Sequence, residues 1–262
     1  MNSIKAIFFD IDGTLVGFKN KVISDATIEA LQKLRDQGIL LIICSGRPRN
    51  LIHNLKDFPF DGYITMNGTY VEYGDKVLLE RPLLEEEAVR IAQTCEDHGI
   101  PVVGFSSEDA GINFENEVTE RLNQLLHIQS FPHVPMVGFA KDHPIFQYTV
   151  YVTPEDKDEY FGKKDPAAVT WHRWHPEMAD IIPSNASKAV GVEAMIQYLG
   201  IDKSSTLSFG DGGNDIPMLL ATGLGIAMGN ANEDVKEIAD YVTGDADEDG
   251  VVSALRYFGL AL

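Results

Sequence analysis

The sequence predicts an α/β protein built on a doubly wound parallel sheet, and two observations lead to this fold class. Apolar runs that read as buried strands alternate with helical stretches, and these runs lie at 4–9, 39–44, 62–66 and 205–209. Such alternation is typical of a parallel sheet covered by helices on both faces. The second observation is that polar residues follow the runs directly, at the strand ends where open α/β sheets bind ligands.

The first run ends in two acidic residues, Asp10 and Asp12, within the segment Asp10-Ile11-Asp12-Gly13-Thr14. Two carboxylates this close at the end of a buried strand repel each other, and a bound cation relieves that repulsion. The pair therefore indicates a cation site, and the alternative is that the acids are simply polar residues of a loop. Thr14 supports Asp12 by hydrogen bonding or stabilises the turn, and the sequence leaves both roles open.

A predicted helix at 25–37, with Ser24 as its N-cap, connects the first run to the second. The second run ends at Ser45-Gly46-Arg47-Pro48. Pro48 suits the first turn of a following helix, which leaves Ser45 and nearby backbone N–H groups available for an anion. This strand end is therefore a candidate anion site.

The pattern of predicted helices and strands changes after the third run. Asn67 and Gly68 follow that run, where they suit a turn and are also candidates to reach a ligand. A helix is then predicted at 83–95, and short strands follow at 147–152 and 169–175. We interpret 84–182 as a separate α+β insert.

Lys188 lies just after the insert and before an amphipathic stretch that ends at Gly200. A lysine near the start of a helix opposes the helix macrodipole. A negative ligand nearby explains this lysine better than helix stability does.

The fourth run leads into Gly210-Asp211-Gly212-Gly213-Asn214-Asp215. The glycines allow the backbone to approach a ligand closely, and Pro217 suits the opening of a helix. The segment adds two further carboxylates to the strand ends.

Four of these segments, in their order along the chain, resemble the four motifs of the haloacid dehalogenase superfamily of phosphotransferases. They are Asp10-Ile11-Asp12-Gly13-Thr14, Ser45-Gly46-Arg47, Lys188 and Gly210-Asp211-Gly212-Gly213-Asn214-Asp215. The resemblance spans residues 4 to about 245, and the last motif is similar to that of the Cof-type, class IIB sugar-phosphate phosphatases. It implies a Rossmann-like catalytic core at 1–83 and 183–262. It also implies that 84–182 is an inserted α+β cap of the C2 type that determines substrate specificity.

The resemblance further implies a magnesium-dependent phosphatase that hydrolyses small phosphorylated metabolites, sugar phosphates in particular. Asp10 would be the nucleophile that forms an aspartyl-phosphate, and Asp12 the general acid and base. Lys188 would neutralise charge beside them. Mg2+ would be bound by Asp10, the backbone carbonyl of Asp12 and Asp211, with Asp215 orienting these ligands. Residues assigned to phosphate or substrate binding are Ser45, Gly46, Arg47, Asn67 and Asn214.

An aromatic and polar cluster at 171–175 in the insert is a candidate for sugar binding. Alternation along a strand places Trp171, Arg173 and His175 on one face, and of these Arg173 and His175 are assigned to the substrate. A zinc site at His172 and His175 is disfavoured, because three residues along a strand place them on opposite faces. For any single aromatic residue here, core packing is the alternative role.

Composition agrees with an enzyme that acts on small molecules. The formal net charge of −19 disfavours binding to nucleic acids or anionic membranes. The longest aliphatic run, 39–43, is too short to cross a bilayer, and the absence of a signal-peptide pattern predicts a cytoplasmic protein. Two cysteines form no disulfide framework, and Cys44 fits a core position better than a nucleophile. The oligomeric state stays open.

Other functions compete with hydrolysis. On the same core, a phosphomutase or phosphotransferase would pass the phosphoryl group to an alcohol instead of water. A receiver-like regulatory domain phosphorylated on Asp10 and a sugar-binding module are further candidates, disfavoured by Asp12 and by the four motifs. The acidic segment at 245–250 begins like an EF-hand calcium loop, but Arg256 stands where that loop requires glutamate, so a solvated turn is favoured.

Overall fold

The structure is a computed structural model, and it describes residues 3–126, 130–162 and 167–260. The strands within these ranges are β1 (Ala6–Phe9), β2 (Leu40–Cys44), β3 (Gly62–Thr65), β4 (Tyr70–Tyr73), β5 (Lys76–Glu80), β6 (Val102–Phe105), β7 (Ala110–Ile112), β8 (Gln147–Val150), β9 (Val169–His175), β10 (Met178–Pro183), β11 (Thr206–Gly210), β12 (Leu224–Ala227) and β13 (Tyr241–Val242). The α-helices are α1 (Asp25–Asp36), α2 (Glu85–Asp97), α3 (Glu117–Leu126), α4 (Met136–Asp142), α5 (Pro154–Tyr160), α6 (Lys188–Leu199), α7 (Ile216–Ala221), α8 (Glu233–Ile238) and α9 (Gly250–Tyr257).

The chain divides into two compact units, and the first consists of Met1–Glu80 with Ser187–Leu262. The second unit, Arg81–Ala186, begins earlier and ends later than the predicted insert at 84–182. Hydrogen bonds within the second unit account for its extent, because Leu83 N–H donates to Ile145 O and Ser184 N–H donates to Ala168 O. These bonds join both ends of Arg81–Ala186 to the same unit.

An eight-stranded sheet forms the centre of the first unit, in the order β13-β12-β11-β1-β2-β3-β4-β5. The six strands from β13 to β3 are parallel to one another, whereas the pairs β3–β4 and β4–β5 are antiparallel. The chain leaves β1 toward β2 on one side and returns to β11 on the other. This reversal of strand order creates a crevice at the carboxyl end of β1, which is where doubly wound sheets bind ligands.

Both faces of this sheet are covered by helices, and its central strands β1 and β11 are accordingly buried at every position. Ile7 and Phe9 of β1 belong to a core cluster with residues of α1 and α9. Ala6 and Phe8 belong to a second cluster with residues of α6, α7 and α8. Successive side chains of a strand point to opposite faces, so β1 is apolar throughout because it is buried on both sides.

The ends of the helices show how local sequence sets the element bounds. Ser24 caps α1 by accepting the Thr27 N–H, as predicted, and Gly200 ends α6 in the left-handed conformation. After Ser45-Gly46-Arg47-Pro48, in contrast, the predicted helix is only the single 3₁₀ turn Arg49–Leu51. Pro48 lies at the N-cap of that turn and not in its first helical turn.

The second unit is an α+β fold with its own core. Its five strands form an antiparallel sheet in the order β7-β6-β8-β10-β9. Helices α2 and α4 contribute Ile91 and Phe139 to a cluster that also contains Tyr148 and Ile181 of the sheet. Among the described residues, no helix is long and apolar enough to cross a membrane.

Candidate active site

Three neighbouring strands of the first unit end in polar residues at one edge of the sheet. Asp10 follows β1, Ser45 follows β2 and Asp211 follows β11. Strand β1 lies between β11 and β2, with Phe9 paired to Ile43 and to Phe209. Because the three strands are parallel, their carboxyl ends bring residues distant in sequence together, as the sequence predicts.

A buried lysine joins two of the carboxylates. Lys188 is 1% exposed at the start of α6, and its Nζ lies 2.6 Å from Asp10 Oδ1. The same Nζ donates a hydrogen bond to Asp215 Oδ1. A buried ammonium group requires such partners, because taking an unpaired charge out of water is costly. The negative charge that the sequence predicts near Lys188 is therefore supplied by two carboxylates of the protein itself.

Asp215 has a second set of partners that orients the Gly210–Asp215 segment. Its Oδ2 accepts the backbone N–H groups of Asp211 and Gly212, each at 3.0 Å. Both oxygens of Asp215 are thus engaged, one by Lys188 and one by the loop. The side chain fixes the loop that carries Asp211.

Burial and mutual repulsion shift the protonation of these groups. Burial, followed by the charge of Asp215, raises the pKa of Asp10 well above its usual range, against the opposing effect of Lys188. Burial and Asp215 likewise raise the pKa of Asp211 to about 7. Burial alone would lower the pKa of Lys188, but Asp10 and Asp215 outweigh it and raise that pKa. Lys188 therefore does not offset the combined effect of burial and of the neighbouring carboxylates on the pKa values of Asp10 and Asp211.

The carboxylates of Asp10, Asp211 and Asp215 form a group that fits a divalent cation. One ligand oxygen from each lies within 4.8 Å of the others. Oxygen donors of this kind suit Mg2+, which uses few carboxylates. Gly13 makes room for this group: its φ is +81°, and a Cβ there would lie 2.1 Å from Asp211 Oδ2.

Asp12 does not join this carboxylate group. Its Oδ2 accepts from Arg47 Nε at 2.7 Å and its Oδ1 accepts from Arg47 Nη2 at 2.6 Å, a two-point contact. Arg47 Nη1 donates to Leu51 O at 3.2 Å. The guanidinium group therefore orients the side chain assigned as general acid and base, a contact that the sequence did not predict.

The other candidates for phosphate binding lie together in the first unit and are joined by hydrogen bonds. Ser45 is 2% exposed, and its Oγ accepts the Arg47 N–H at 3.1 Å. Asn67 Oδ1 accepts from Asn214 Nδ2 at 2.9 Å. A Cβ on Gly46 would lie 3.2 Å from the Asn67 amide nitrogen, so Gly46 permits this close approach.

Asn67 lies in a strained turn. Met66, Asn67 and Gly68 have φ values of 49°, 57° and 90°, three successive residues in the left-handed region. Such backbone is retained where the surroundings fix it, and it is common at functional sites. The turn directs Asn67 at Asn214 of the fourth motif.

The comparisons with known proteins agree with this geometry. A family model of haloacid dehalogenase-like hydrolases matches residues 7–255. The chain belongs to this family. Putative phosphatase YkrA of Bacillus subtilis (strain 168) is 34% identical over 260 residues, which cover 98% of each protein.

Solved structures show the same relationship for this haloacid dehalogenase-like hydrolase. It matches the subclass IIB sugar phosphatase BT4131 with a TM-score of 0.89 and 38% identity, covering 98% of this chain and 99% of that one. It also matches BT1666 from Bacteroides thetaiotaomicron, which is described among phosphatases of the superfamily, with a TM-score of 0.88 and 30% identity over 98% and 96% of the two chains.

These findings confirm the predicted family, fold class and enzyme class. The protein has a Rossmann-like α/β core that matches a subclass IIB structure, and it is a phosphoric monoester hydrolase. The first unit contains Lys188 and the three carboxylates around it, which belong to Asp10, Asp211 and Asp215.

The two candidates from the insert make contacts within their own unit. Arg173 Nη1 donates to the carbonyls of Val152, His175 and Pro176 at 2.8, 3.4 and 3.2 Å. His175 Nδ1 accepts the Glu177 N–H at 3.1 Å. The β9 register shifts at this point, so strict alternation of faces stops before His175. Both side chains thus stabilise the turn after β9, and their contact with substrate stays a prediction.

Two other features noted in the sequence have structural roles. Cys44 is buried at the end of β2, and burial raises the pKa of its thiol, as fits a core residue. In the acidic segment, Asp247 Oδ1 accepts the backbone N–H groups of Lys19 and Asn20, each at 3.1 Å. The Asp247 carboxylate thereby anchors the loop after Gly17.

Two polar contacts to Asp211 lay outside the predictions. Thr14 Oγ1 lies 3.5 Å from Asp211 Oδ1, so this hydroxyl reaches Asp211 and not Asp12. Asn230 Nδ2 lies 3.3 Å from Asp211 Oδ2. Asn230 lies shortly after β12, and the run Leu224–Ala227 was not among the predicted strands. Extending the rule of polar residues at strand ends to this run would have found it.

Proposed function

We propose that the protein is a magnesium-dependent phosphatase that hydrolyses small phosphorylated metabolites, sugar phosphates in particular, through an aspartyl-phosphate on Asp10. The observation that carries this proposal is the position of Asp10, which is 6% exposed, lies 2.6 Å from Lys188 Nζ and shares the carboxylate group with Asp211 and Asp215. A carboxylate beside a cationic group and a cation site is equipped to attack a phosphate. The similarity to a sugar phosphatase supports the substrate class.

Asp10, Asp211 and the backbone carbonyl of Asp12 are assigned as the residues that hold Mg2+. When bound, the ion neutralises phosphate oxygens and the carboxylates that face them. Asp215 keeps Asp211 in place through the N–H groups of the loop. This supporting role suits Asp215, because Lys188 engages its other oxygen.

The chemistry divides into two displacements at phosphorus. A carboxylate oxygen of Asp10 attacks the phosphorus atom, the bond from phosphorus to the leaving alcohol breaks, and Asp12 gives its proton to that alcohol oxygen. Asp12 then takes a proton from water, and the water oxygen attacks phosphorus. The bond to Asp10 breaks, which releases phosphate and restores the carboxylate.

The surrounding residues position the phosphate and stabilise its charge. Lys188 lies against the attacking carboxylate and balances the negative charge that gathers there. Ser45 and Asn214 are assigned to the phosphate oxygens. Arg47 orients Asp12 through its two-point contact, and it is also assigned to the phosphate or substrate.

The choice among phosphate esters is assigned to the second unit, Arg81–Ala186. The core residues account for phosphate and cation, and none of them is specific for a particular alcohol. Substrate selection therefore belongs to residues outside the four motifs.

A screen of phosphate esters for released phosphate tests the proposal. We expect multiple turnovers on sugar phosphates, loss of turnover in excess chelator and recovery with Mg2+. Undiminished hydrolysis in chelator would contradict the metal assignment. Phosphate transfer that requires an added alcohol, with none to water, would identify a phosphotransferase, and failure to turn over would favour a regulatory phosphoprotein.

A further inference from the structure

Asn230 contacts three different parts of the core unit with one side chain. Its Nδ2 lies 2.8 Å from Gly13 O and 3.3 Å from Asp211 Oδ2. Its Oδ1 accepts the Ala246 N–H at 2.9 Å. The side chain thus connects the loop after β1, the carboxylate after β11 and the acidic segment near the C-terminus.

These partners fix which way the amide group points. The nitrogen faces two oxygen acceptors, and the oxygen faces an N–H donor. A reversed amide would place its oxygen against Gly13 O and Asp211, and its NH2 group against the Ala246 N–H. Only one orientation satisfies all three contacts, so the side chain is well defined.

The backbone around Asn230 is also held from two sides. Met228 N–H donates to Gly210 O at 3.0 Å, directly before Asp211. Gly229 N–H donates to Gly244 O at 2.8 Å. The loop after β12 is therefore fixed to the end of β11 and to the strand end beyond it, which gives Asn230 a rigid base.

We propose that Asn230 is a positioning residue of the metal site, an inference that rests on the metal-dependent function proposed above. Its amide holds the Asp211 carboxylate and the Gly13 carbonyl in the arrangement that binds a divalent cation. Gly13 is adjacent to Asp12, whose carbonyl is assigned as a ligand, so one side chain orients two of the ligand-bearing loops. Groups that orient metal ligands in this way contribute strongly to metal affinity.

Binding of Mn2+ alone, followed by electron paramagnetic resonance without substrate, tests the inference. Asn230→Ala removes the contacts, and Asn230→Leu removes them at nearly constant size. Both variants should keep the parent's circular dichroism spectrum and bind Mn2+ about 10–100-fold more weakly, the usual effect of losing such a partner. Asn232→Ala is the matched control, because Asn232 lies in the same loop with an exposed side chain. It should bind Mn2+ as the parent does.

Different outcomes separate the two proposals. If the parent binds Mn2+ and both Asn230 variants bind it equally well, the role of Asn230 is wrong and the phosphatase proposal stands. Equal weakening by Asn232→Ala would also overturn that role, because the effect would belong to the loop as a whole. If the parent binds no Mn2+, the metal-dependent function and the inference fail together.

Discussion

Lys188 lies buried between Asp10 and Asp215, and it is the only positive charge in direct contact with them among the described residues. Removing one partner of a buried ion pair leaves uncompensated charge, which lowers stability by about 3–5 kcal/mol. We therefore expect Lys188→Met to lower the free energy of unfolding in urea by about this amount and to abolish turnover.

A lysine in a surface pair provides the control for this prediction. Lys236 pairs with Glu233, which is 84% exposed, at 3.0 Å. Exposed pairs of this kind contribute about 0–1 kcal/mol, so Lys236→Met should unfold almost as the parent does. Equal destabilisation by both variants would show that the pairing of Lys188 is not what stabilises the core.

Arg47 should affect catalysis through Asp12. Arg47→Ala removes the two-point contact, so Asp12 loses its orientation and kcat/KM should fall by about tenfold or more, a loss of about 1.4 kcal/mol. Lysine at this position should not restore the rate, because an ammonium group cannot form the same two-point contact. The measurement is phosphate release from a sugar phosphate at saturating Mg2+.

Arg49 serves as the comparison for Arg47. It pairs with Glu72 at 3.1 Å and stacks on Tyr63, away from Asp12. Arg49→Ala should therefore retain the parent's kcat/KM. The role of Arg47 would be contradicted if the two alanine variants had the same activity.

The sequence predicted the residues of the site better than their contacts. Asp10 and Asp211 could be placed together because each follows a predicted strand, and Lys188 was added through the resemblance to the four motifs. The pairing of Arg47 with Asp12 could not, because it depends on the conformations of two long side chains that the motif spacing leaves free. Asn230 was missed because a single asparagine after a short strand carries little signal by itself.

At the scale of elements, the site depends on how closely the loop after β1 approaches the loop after β11. Gly13 and Gly38 both have positive φ, at +81° and +78°, but only Gly13 faces Asp211. We expect Gly13→Ala to reduce turnover by roughly 100-fold, the effect of a misplacement of about 1 Å in a catalytic group. The displaced group is the Asp211 carboxylate.

The variant Gly38→Ala distinguishes the effect of displacing the Asp211 carboxylate from the effect of backbone strain. A Cβ there meets nothing within 4 Å, so Gly38→Ala introduces the strain alone. Both variants should be less stable in urea, while only Gly13→Ala should lose turnover at saturating substrate. A similar loss in Gly38→Ala would mean that strain, and not the position of Asp211, limits the rate.

Strands and helices with clear local signals were predicted almost to their ends. β2 spans Leu40–Cys44 against the predicted 39–44, and α1 spans Asp25–Asp36 against 25–37. Strands β4 and β5 were not predicted, since their mixed burial reflects an antiparallel edge that lacks a continuous apolar run. The helix expected after Pro48 is a single turn, because proline at a helix start favours a helix without determining its length.

At the scale of the whole molecule, the sequence established the fold class because alternating strands and helices admit few topologies. It did not establish what Arg173 and His175 do, because a polar cluster can serve either a substrate or its own turn. Arg173 bonds three backbone carbonyls in the second unit. A comparison of kcat/KM among sugar phosphates would therefore measure the specificity directly.

The central claim is that Asp10 receives the phosphoryl group, and trapping this intermediate tests it most directly. The enzyme would be mixed with a radiolabelled sugar phosphate and Mg2+, quenched in acid within milliseconds and digested. We predict that label appears on the peptide that contains Asp10, decays as phosphate is released and is absent from Asp10→Asn. Release of labelled phosphate in the first turnover, with that peptide unlabelled at every quench time, would contradict the account.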